Sequence, residues 1–318
     1  MRLALGALMF SYAALLQAQS LPGADDWLRK IYRATQDLSY SGIFVYQQGG
    51  HTETSRITRL ADARGGTEKL EVLDGAPREI VRTRDSVRCY LPESRMIKID
   101  QRGGRQGFPM VLPEQRAKIH ENYTVTLGEM QRVAGLDCQE VVLAPHDALR
   151  YGYRLCADLA TGMPLRAMVF DENGEAAEQF TFTQWAPGRV RREQLKPRYP
   201  TSSWRVDDTS VSAANLADAG WVFSVDLPGF EKVAEVTRKH GNAQPVGQVV
   251  YSDGLAAVSV FLESADQQSA PVEAGLAKMG AVHIYTREID GHVITAVGEV
   301  PAASVRRIAH AIEFRAPR

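Results

Sequence analysis

The strongest constraint on the fold lies between residues 136 and 185, where four β-strands follow one another with their turns in place. Aligning Val141 with Tyr153 and Leu143 with Tyr151 gathers the apolar side chains on one face and makes 145–149 a short hairpin loop. In that register Gln139 faces Leu155, Glu140 faces Arg154 as an ion pair, and Cys138 faces Cys156. Opposed Cβ atoms lie about 4.5–5.5 Å apart, within reach of a disulfide once the strands twist. A Cys138 to Cys156 bridge is therefore predicted, worth about 3 kcal/mol in the loop-entropy account. Asn173-Gly174 supplies a two-residue type I′ turn further on, which sets Ala167 against Phe180 and Leu165 against Phe182. A meander with one apolar face needs a cover, and what covers it bears on function.

A chain of 318 residues exceeds the usual span of one core, so two domains are expected. The formal charge of -1 gives no reason to expect nucleic acid as a partner. Residues 1–20 read as a secretory signal peptide: Met1-Arg2, an apolar run over 3–16, then Ala18 and Ser20 satisfying the small-residue rule for cleavage. Export to an oxidising compartment fits the predicted bridge and leaves Cys89 as a small buried hydrophobe.

Asp25 is a fair N-cap for a helix bearing Trp27, Leu28, Ile31, Ala34 and Leu38 at helical spacing. Strands follow at 43–48, 52–60, 68–73, 79–84, 87–91 and 96–99, with turns at Gly49-Gly50 and Asp74-Gly75. Residues 103–107 are a loop, Pro113 opens a short helix to about 121, and 123–127 is a strand leading into the meander. The first domain is thus assigned to 21–186. Prolines and a basic run (Arg189, Arg191, Arg192, Lys196, Arg198) make 187–216 an interdomain linker, either a plain span or a basic docking strip. Residues 217–318 form a smaller α+β domain, with strands at 221–225, 232–239, 245–251, 256–262, 282–288 and 292–299. A short helix is expected at 272–279 and a C-terminal helix after Pro301.

The sequence carries no phosphate loop, nucleophile elbow or His-Glu-x-x-His, and its seven histidines have no ligand spacing, so neither an enzyme, a metal site nor a cofactor is expected. Two features stand out. A bent sheet covered by one helix leaves apolar surface for a lipid-like ligand, and the candidate lining residues are Phe44, Tyr46, Ile57, Leu70, Ile80, Tyr90 and Met96. Arg78, Arg82, Arg84, Arg88, Arg95 and Arg105 would suit an anionic amphiphile if they rimmed that surface.

With these elements placed, the chain resembles the RseB/MucB family of periplasmic negative regulators of the sigma-E envelope-stress response. The resemblance rests on Tyr40-Ser41-Gly42-Ile43-Phe44-Val45-Tyr46, Leu73-Asp74-Gly75-Ala76-Pro77-Arg78-Glu79, Tyr151-Gly152-Tyr153-Arg154-Leu155 and Phe180-Thr181-Phe182-Thr183-Gln184. In the second domain it rests on Leu227-Pro228-Gly229-Phe230, Tyr251-Ser252-Asp253-Gly254-Leu255 and Val297-Gly298-Glu299-Val300-Pro301. It implies a mainly β protein: an N-terminal half-open antiparallel β-barrel covered by a helix, similar to lipoprotein carriers of the LolA/LolB type, and a smaller α+β C-terminal domain. It further implies a periplasmic protein that binds the periplasmic domain of a membrane anti-sigma factor of the RseA/MucA type and shields it from proteolysis until a lipidic envelope ligand relieves the shielding. A lipid, lipopolysaccharide or lipoprotein is the ligand so implied, and homo-oligomerisation is left open. The alternative reading is a periplasmic lipid or lipoprotein carrier.

Overall fold

The computed structural model describes residues 22–63, 65–101, 112, 117–241, 243–267 and 273–316; the signal-peptide reading, Arg105 and Pro113 lie outside them. Helix α1 (Ala24–Asp37) opens the chain. It starts two residues earlier than expected. Gly23 is the N-cap, and Asp26 reaches back to accept the Gly23 N–H at 3.0 Å, so the acidic first turn satisfies an end that Asp25 does not cap. Trp27, Leu28, Ile31 and Ala34 form its buried stripe. Each large side chain so buried contributes about 1.5–3 kcal/mol.

Strands β1 (Tyr40–Gln48), β2 (His51–Leu60), β3 (Thr67–Val72), β4 (Glu79–Arg82), β5 (Ser86–Leu91) and β6 (Met96–Gln101) form an antiparallel meander. Gly49 and Gly50 have φ of 53° and 82°, the two left-handed residues that a tight β1–β2 hairpin demands. After α2 (Ala117–Asn122) comes a second meander of β7 (Tyr123–Val133), β8 (Leu136–Pro145), β9 (Gly152–Asp158), β10 (Pro164–Phe170) and β11 (Ala176–Pro187). Strand β11 pairs back onto β1, joining the two. One face of this combined sheet, from β1 and β2 round to β7–β11, packs Phe44, Ile57, Val141, Leu155, Phe180 and Phe182 against the α1 stripe in one cluster, so the sheet curls about the helix.

The second unit contains β12 (Arg205–Ala213), β13 (Trp221–Phe223), β14 (Glu231–His240), β15 (Val246–Ser252), β16 (Ala257–Ser264), β17 (Gly275–Met279), β18 (Val282–Ile289), β19 (His292–Gly298), α3 (Ala302–His310) and β20 (Ile312–Phe314). Its core gathers Val249, Val258, Val260, Ile294 and Ala296 from the sheet with Val305 and Ile308 from α3. Strand β12 runs parallel to β6 on one side and antiparallel to β14 on the other, so the pairings run unbroken from β7 at one edge to β17 at the other, through 18 strands. The sheet is open, because among the described residues no pairing joins those two edge strands.

Several expectations are corrected. The 187–216 stretch is no plain linker: it holds a 3-10 turn (Arg192–Leu195) and all of β12, the strand that joins the two sheets. Its prolines end at Pro200, and strand pairing resumes beyond them. Where a short helix is expected over 272–279, the described residues give a strand, β17, at Gly275–Met279. Ala, Leu, Lys and Met favour helix, but pairing with β18 overrides that preference.

The β8–β9 register differs by two residues from the sequence reading, with Val141 opposite Leu155 and Leu143 opposite Tyr153. A shift of two keeps every side chain on its face. Cys138 and Cys156 are therefore diagonal neighbours, opposite Asp158 and Glu140 respectively, yet they are bonded, with Cα atoms 5.4 Å apart. The Glu140–Arg154 ion pair does not form: Gln131 Nε2 donates to Glu140 at 3.0 Å, and the Arg154 guanidinium lies 4.7 Å from the centre of the Phe170 ring. Ala167 does pair with Phe180, but the Asn173-Gly174 turn is not type I′. Only Gly174 is left-handed (φ 77°), and Asp171 closes a longer turn by accepting the Asn173 and Glu175 N–H groups on its side chain.

Candidate functional site

The widened β8–β9 loop explains the register. Asp147 accepts the Leu149 N–H at 2.9 Å and grips Arg150 twice, Nε at 3.0 Å and Nη2 at 3.1 Å. Arg150 is thereby aimed across the seam between the two units. There its Nη1 donates to Asp253 Oδ2 at 2.7 Å, its Nη2 donates to the Pro228 carbonyl, and the guanidinium lies 5.1 Å from the centre of the Phe230 ring. Tyr123 donates to the same Asp253 oxygen at 3.1 Å. The other oxygen, Oδ1, takes the Leu255 and Ala256 N–H groups at 2.9 and 2.7 Å, so the acceptor is fixed by its own turn. Burial works against the Arg150 charge, but the Asp147 hydrogen bonds and the Asp253 charge outweigh it and hold its pKa above the ordinary value. Burial, reinforced by Tyr153 and Asp253, pushes the Tyr123 hydroxyl far up, so it stays a donor.

Around this anchor the seam is closed by smaller contacts. Ser304 Oγ donates to the Leu149 carbonyl at 2.6 Å, and Lys118 pairs with Glu231. His283 Nδ1 lies 2.8 Å from the Val300 carbonyl and 3.2 Å from the Tyr151 hydroxyl. Gly229, left-handed at φ 77°, lies so close to Asn122 that a Cβ there would stand 2.0 Å from its Oδ1. Four segments that carry the family resemblance, around Tyr151, Pro228, Asp253 and Val300, thus meet in one place.

The candidate lining residues divide between two faces. Strand pairing puts Phe44, Tyr46, Ile57, Leu70, Ile80 and Met96 on the face that carries the α1 cluster. Phe44 and Ile57 are core residues, while Tyr46, Leu70, Ile80 and Met96 are half-buried. Tyr90 is on the other face, because it pairs with Glu79 while its neighbour Cys89 pairs with Ile80. Cys89, expected as a buried hydrophobe, is free and half-buried, and burial raises its thiol pKa. The arginines do not form one rim. Arg78 pairs with Glu53 at 2.9 Å, Arg82 with Glu68 at 3.3 Å, and Arg84, Arg88 and Arg95 are exposed. A separate polar groove of about 410 Å³ is lined by Asp26, Arg29, Lys30, Arg33 and Thr161, away from the apolar wall.

On Tyr90's face the basic stretch is strapped down. Lys69, buried, lies 3.5 Å from Glu71 and 3.2 Å from Glu79 and donates to the Lys196 carbonyl at 2.9 Å. Arg198 adds its Nε to Glu71 at 2.9 Å and its backbone N–H to Glu79 at 2.9 Å. This network and the Arg150–Asp253 pair escaped the sequence reading. Their members are far apart in the chain, and the only hint was the recurrence of Asp253 and Pro228 in the family segments. Among the described residues no group of three or more His, Cys, Asp or Glu side chains is placed to hold a metal ion.

An open, mixed sheet spanning two cores, with its charged groups spent on holding units and straps together, defines a two-lobed binding protein. Residues 23–199 match the MucB/RseB N-terminal domain and residues 215–313 the MucB/RseB C-terminal domain. The sigma factor AlgU regulatory protein MucB of Pseudomonas aeruginosa is 30% identical over 321 residues, covering 98% of this chain and 95% of the relative. The sigma-E factor regulatory protein RseB of Haemophilus influenzae is 26% identical over 312 residues, covering 95% of each. Among solved structures, MucB in complex with MucA(peri) superposes with a TM-score of 0.69 at 27% identity, over 92% of this chain and 100% of that one. A crystal structure of MucB gives a TM-score of 0.68 at 28% identity, over 92% and 98%. The chain belongs to the MucB/RseB family of periplasmic sigma-factor regulators.

Proposed function

We propose that this protein binds the periplasmic domain of a membrane anti-sigma factor and shields it from proteolysis, holding an envelope-stress sigma factor in check. The observation that carries the reading is the likeness, over 92% of this chain, to a MucB chain solved with MucA(peri). A partner that touches both lobes needs them in fixed relation, and the buried Arg150–Asp253 pair supplies that relation. Co-purification of the full chain with the periplasmic domain of the cognate anti-sigma factor tests it. A complex surviving size-exclusion chromatography is expected; elution of the two proteins apart sinks the reading.

The ligand half of the proposal rests on the apolar wall. Tyr46, Leu70, Ile80 and Met96 are half-buried on the face that α1 covers, next to the packed Phe44 and Ile57, and an acyl chain would extend that core outward. Such a ligand would relieve the shielding. Solvent extraction of protein purified from envelopes, followed by mass spectrometry, should release a stoichiometric lipid, lipopolysaccharide or lipoprotein acyl species. Glutamate at Ile80 should abolish its recovery. A protein that carries no lipid and takes none up from vesicles contradicts this half and leaves the partner-binding half standing. Vesicle-to-vesicle transfer of the lipid would favour the carrier alternative.

A further inference from the structure

Away from Arg150, the two lobes also touch through two hairpin turns. Gln48 ends β1 and pairs with Glu178 on β11, donating its side-chain amide to Glu178 Oε2 at 3.4 Å. Against this tip lies Gly280, the turn between β17 and β18. A Cβ on Gly280 would stand 2.1 Å from Gln48 Cγ, and one on Gly49 would stand 3.2 Å from the Gly280 Cα. Glu299, just past the end of β19, completes the contact from the second lobe, near enough that its charge acts on Glu178, Tyr46, Tyr151 and Tyr153. Two carboxyls from different lobes therefore share one half-buried interface.

We propose that Glu178 and Glu299 form a proton-operated latch between the lobes, closed when the pair holds a proton and opened when both carboxyls are ionised. Around the pair lie Tyr46 from β1, Tyr153 from β9 and Tyr151 just before it, on all of which the Glu299 charge acts. Behind them, Glu53 from β2, bridged to Arg78, acts on Tyr46; Asp171 and Glu172 from the β10–β11 turn act on Tyr151; and His283 from β18 contacts the Tyr151 hydroxyl. Lys278 on β17 pairs with His283 in register but is exposed. No described lysine or arginine offsets the charge of either carboxyl. Burial, with the Glu299 charge added, pushes Glu178 up to about 7, against the opposing hydrogen bonds from Tyr46 and Gln48; burial raises Glu299 as well.

The sign follows. A carboxyl whose pKa is raised in the docked state favours docking fully below its ordinary value of 4.5, and that contribution is lost as pH rises through about 7. Between those two values docking weakens by up to about tenfold per pH unit for each proton released, and it levels off above about 7. The Arg150 anchor joins the lobes at a separate point, so they hinge about it while the hairpin tip lifts off Gly280. The latch does not depend on which partner the protein binds.

Hydrogen exchange of residues 46–50 and 279–283 in the full chain, followed from about pH 5 to about pH 9 and corrected for intrinsic rates, tests this. The expected result is a loss of protection at both turns with a midpoint near 7. The Glu178→Gln, Glu299→Gln double variant should keep protection across the range. Glu299→Gln alone should move the midpoint down, and it serves if the double variant fails to fold. Protection in the wild-type that does not change with pH, or an unchanged transition in a folded variant, overturns the latch.

Discussion

Arg150 and Asp253, 103 positions apart in the chain, meet at 2.7 Å across the seam between the lobes with neither side chain exposed. A buried pair of this kind fixes geometry, and its weakness is that removing one member strands the other. Asp253→Ala should therefore destabilise the protein by about 3–5 kcal/mol. Asp147→Ala should cost about 1 kcal/mol or less, because that carboxylate is 33% exposed and solvent screens it. Urea unfolding midpoints of the two variants check the ordering; equal losses would mean that Asp253 is not the anchor.

Much of the fold was legible in the sequence, and what was not has a common cause. Turn chemistry at Gly49-Gly50, the α1 stripe and the Cys138–Cys156 bridge are local or nearly local, and the chain states them. The β8–β9 register was misread because the shortest loop was assumed. In the structure Asp147 and Arg150 leave the ladder to serve the second lobe, a demand made from beyond residue 226. Strand β17 and the bridging β12 fail in the same way, since each is made a strand by its neighbours and not by its own residues. Of the candidate wall, alternation along each strand placed six residues on one face. Tyr90 fell on the other because the reading ignored its parity relative to Ile80.

The strap on Tyr90's face gives a second test. Lys69 is buried between Glu71 and Glu79, so Lys69→Met leaves two buried carboxylates facing each other and should cost about 3–5 kcal/mol. Arg198 is 62% exposed, and Arg198→Ala should cost about 1 kcal/mol or less while freeing the chain near residue 198 to proteases. Thermal melts and limited proteolysis separate the two effects.

Gly229 combines a left-handed φ of 77° with contact against Asn122. Gly229→Ala should destabilise by about 1–3 kcal/mol, since both the backbone and the lobe contact suffer. Gly174→Ala, left-handed at the same 77° with open space around it, isolates the backbone part and should cost less. Differential scanning calorimetry of the two variants gives the comparison.

The Cys138–Cys156 bridge ties β8 to β9 over a sequence separation of 18, and replacing both cysteines by alanine should cost about 3 kcal/mol. Non-reducing peptide mapping should find Cys138 joined to Cys156 and Cys89 alkylated. A bridge containing Cys89 would contradict the structure.

The central claim is that this chain shields an anti-sigma factor. Its most direct test is the rate at which the protease that starts destruction of the cognate anti-sigma factor cuts that factor's periplasmic domain, with and without a stoichiometric amount of this protein. Strong slowing of cleavage is predicted, lost when Asp253→Ala loosens the lobes. An unchanged rate with the wild-type protein, under conditions where both proteins are folded, would contradict the account.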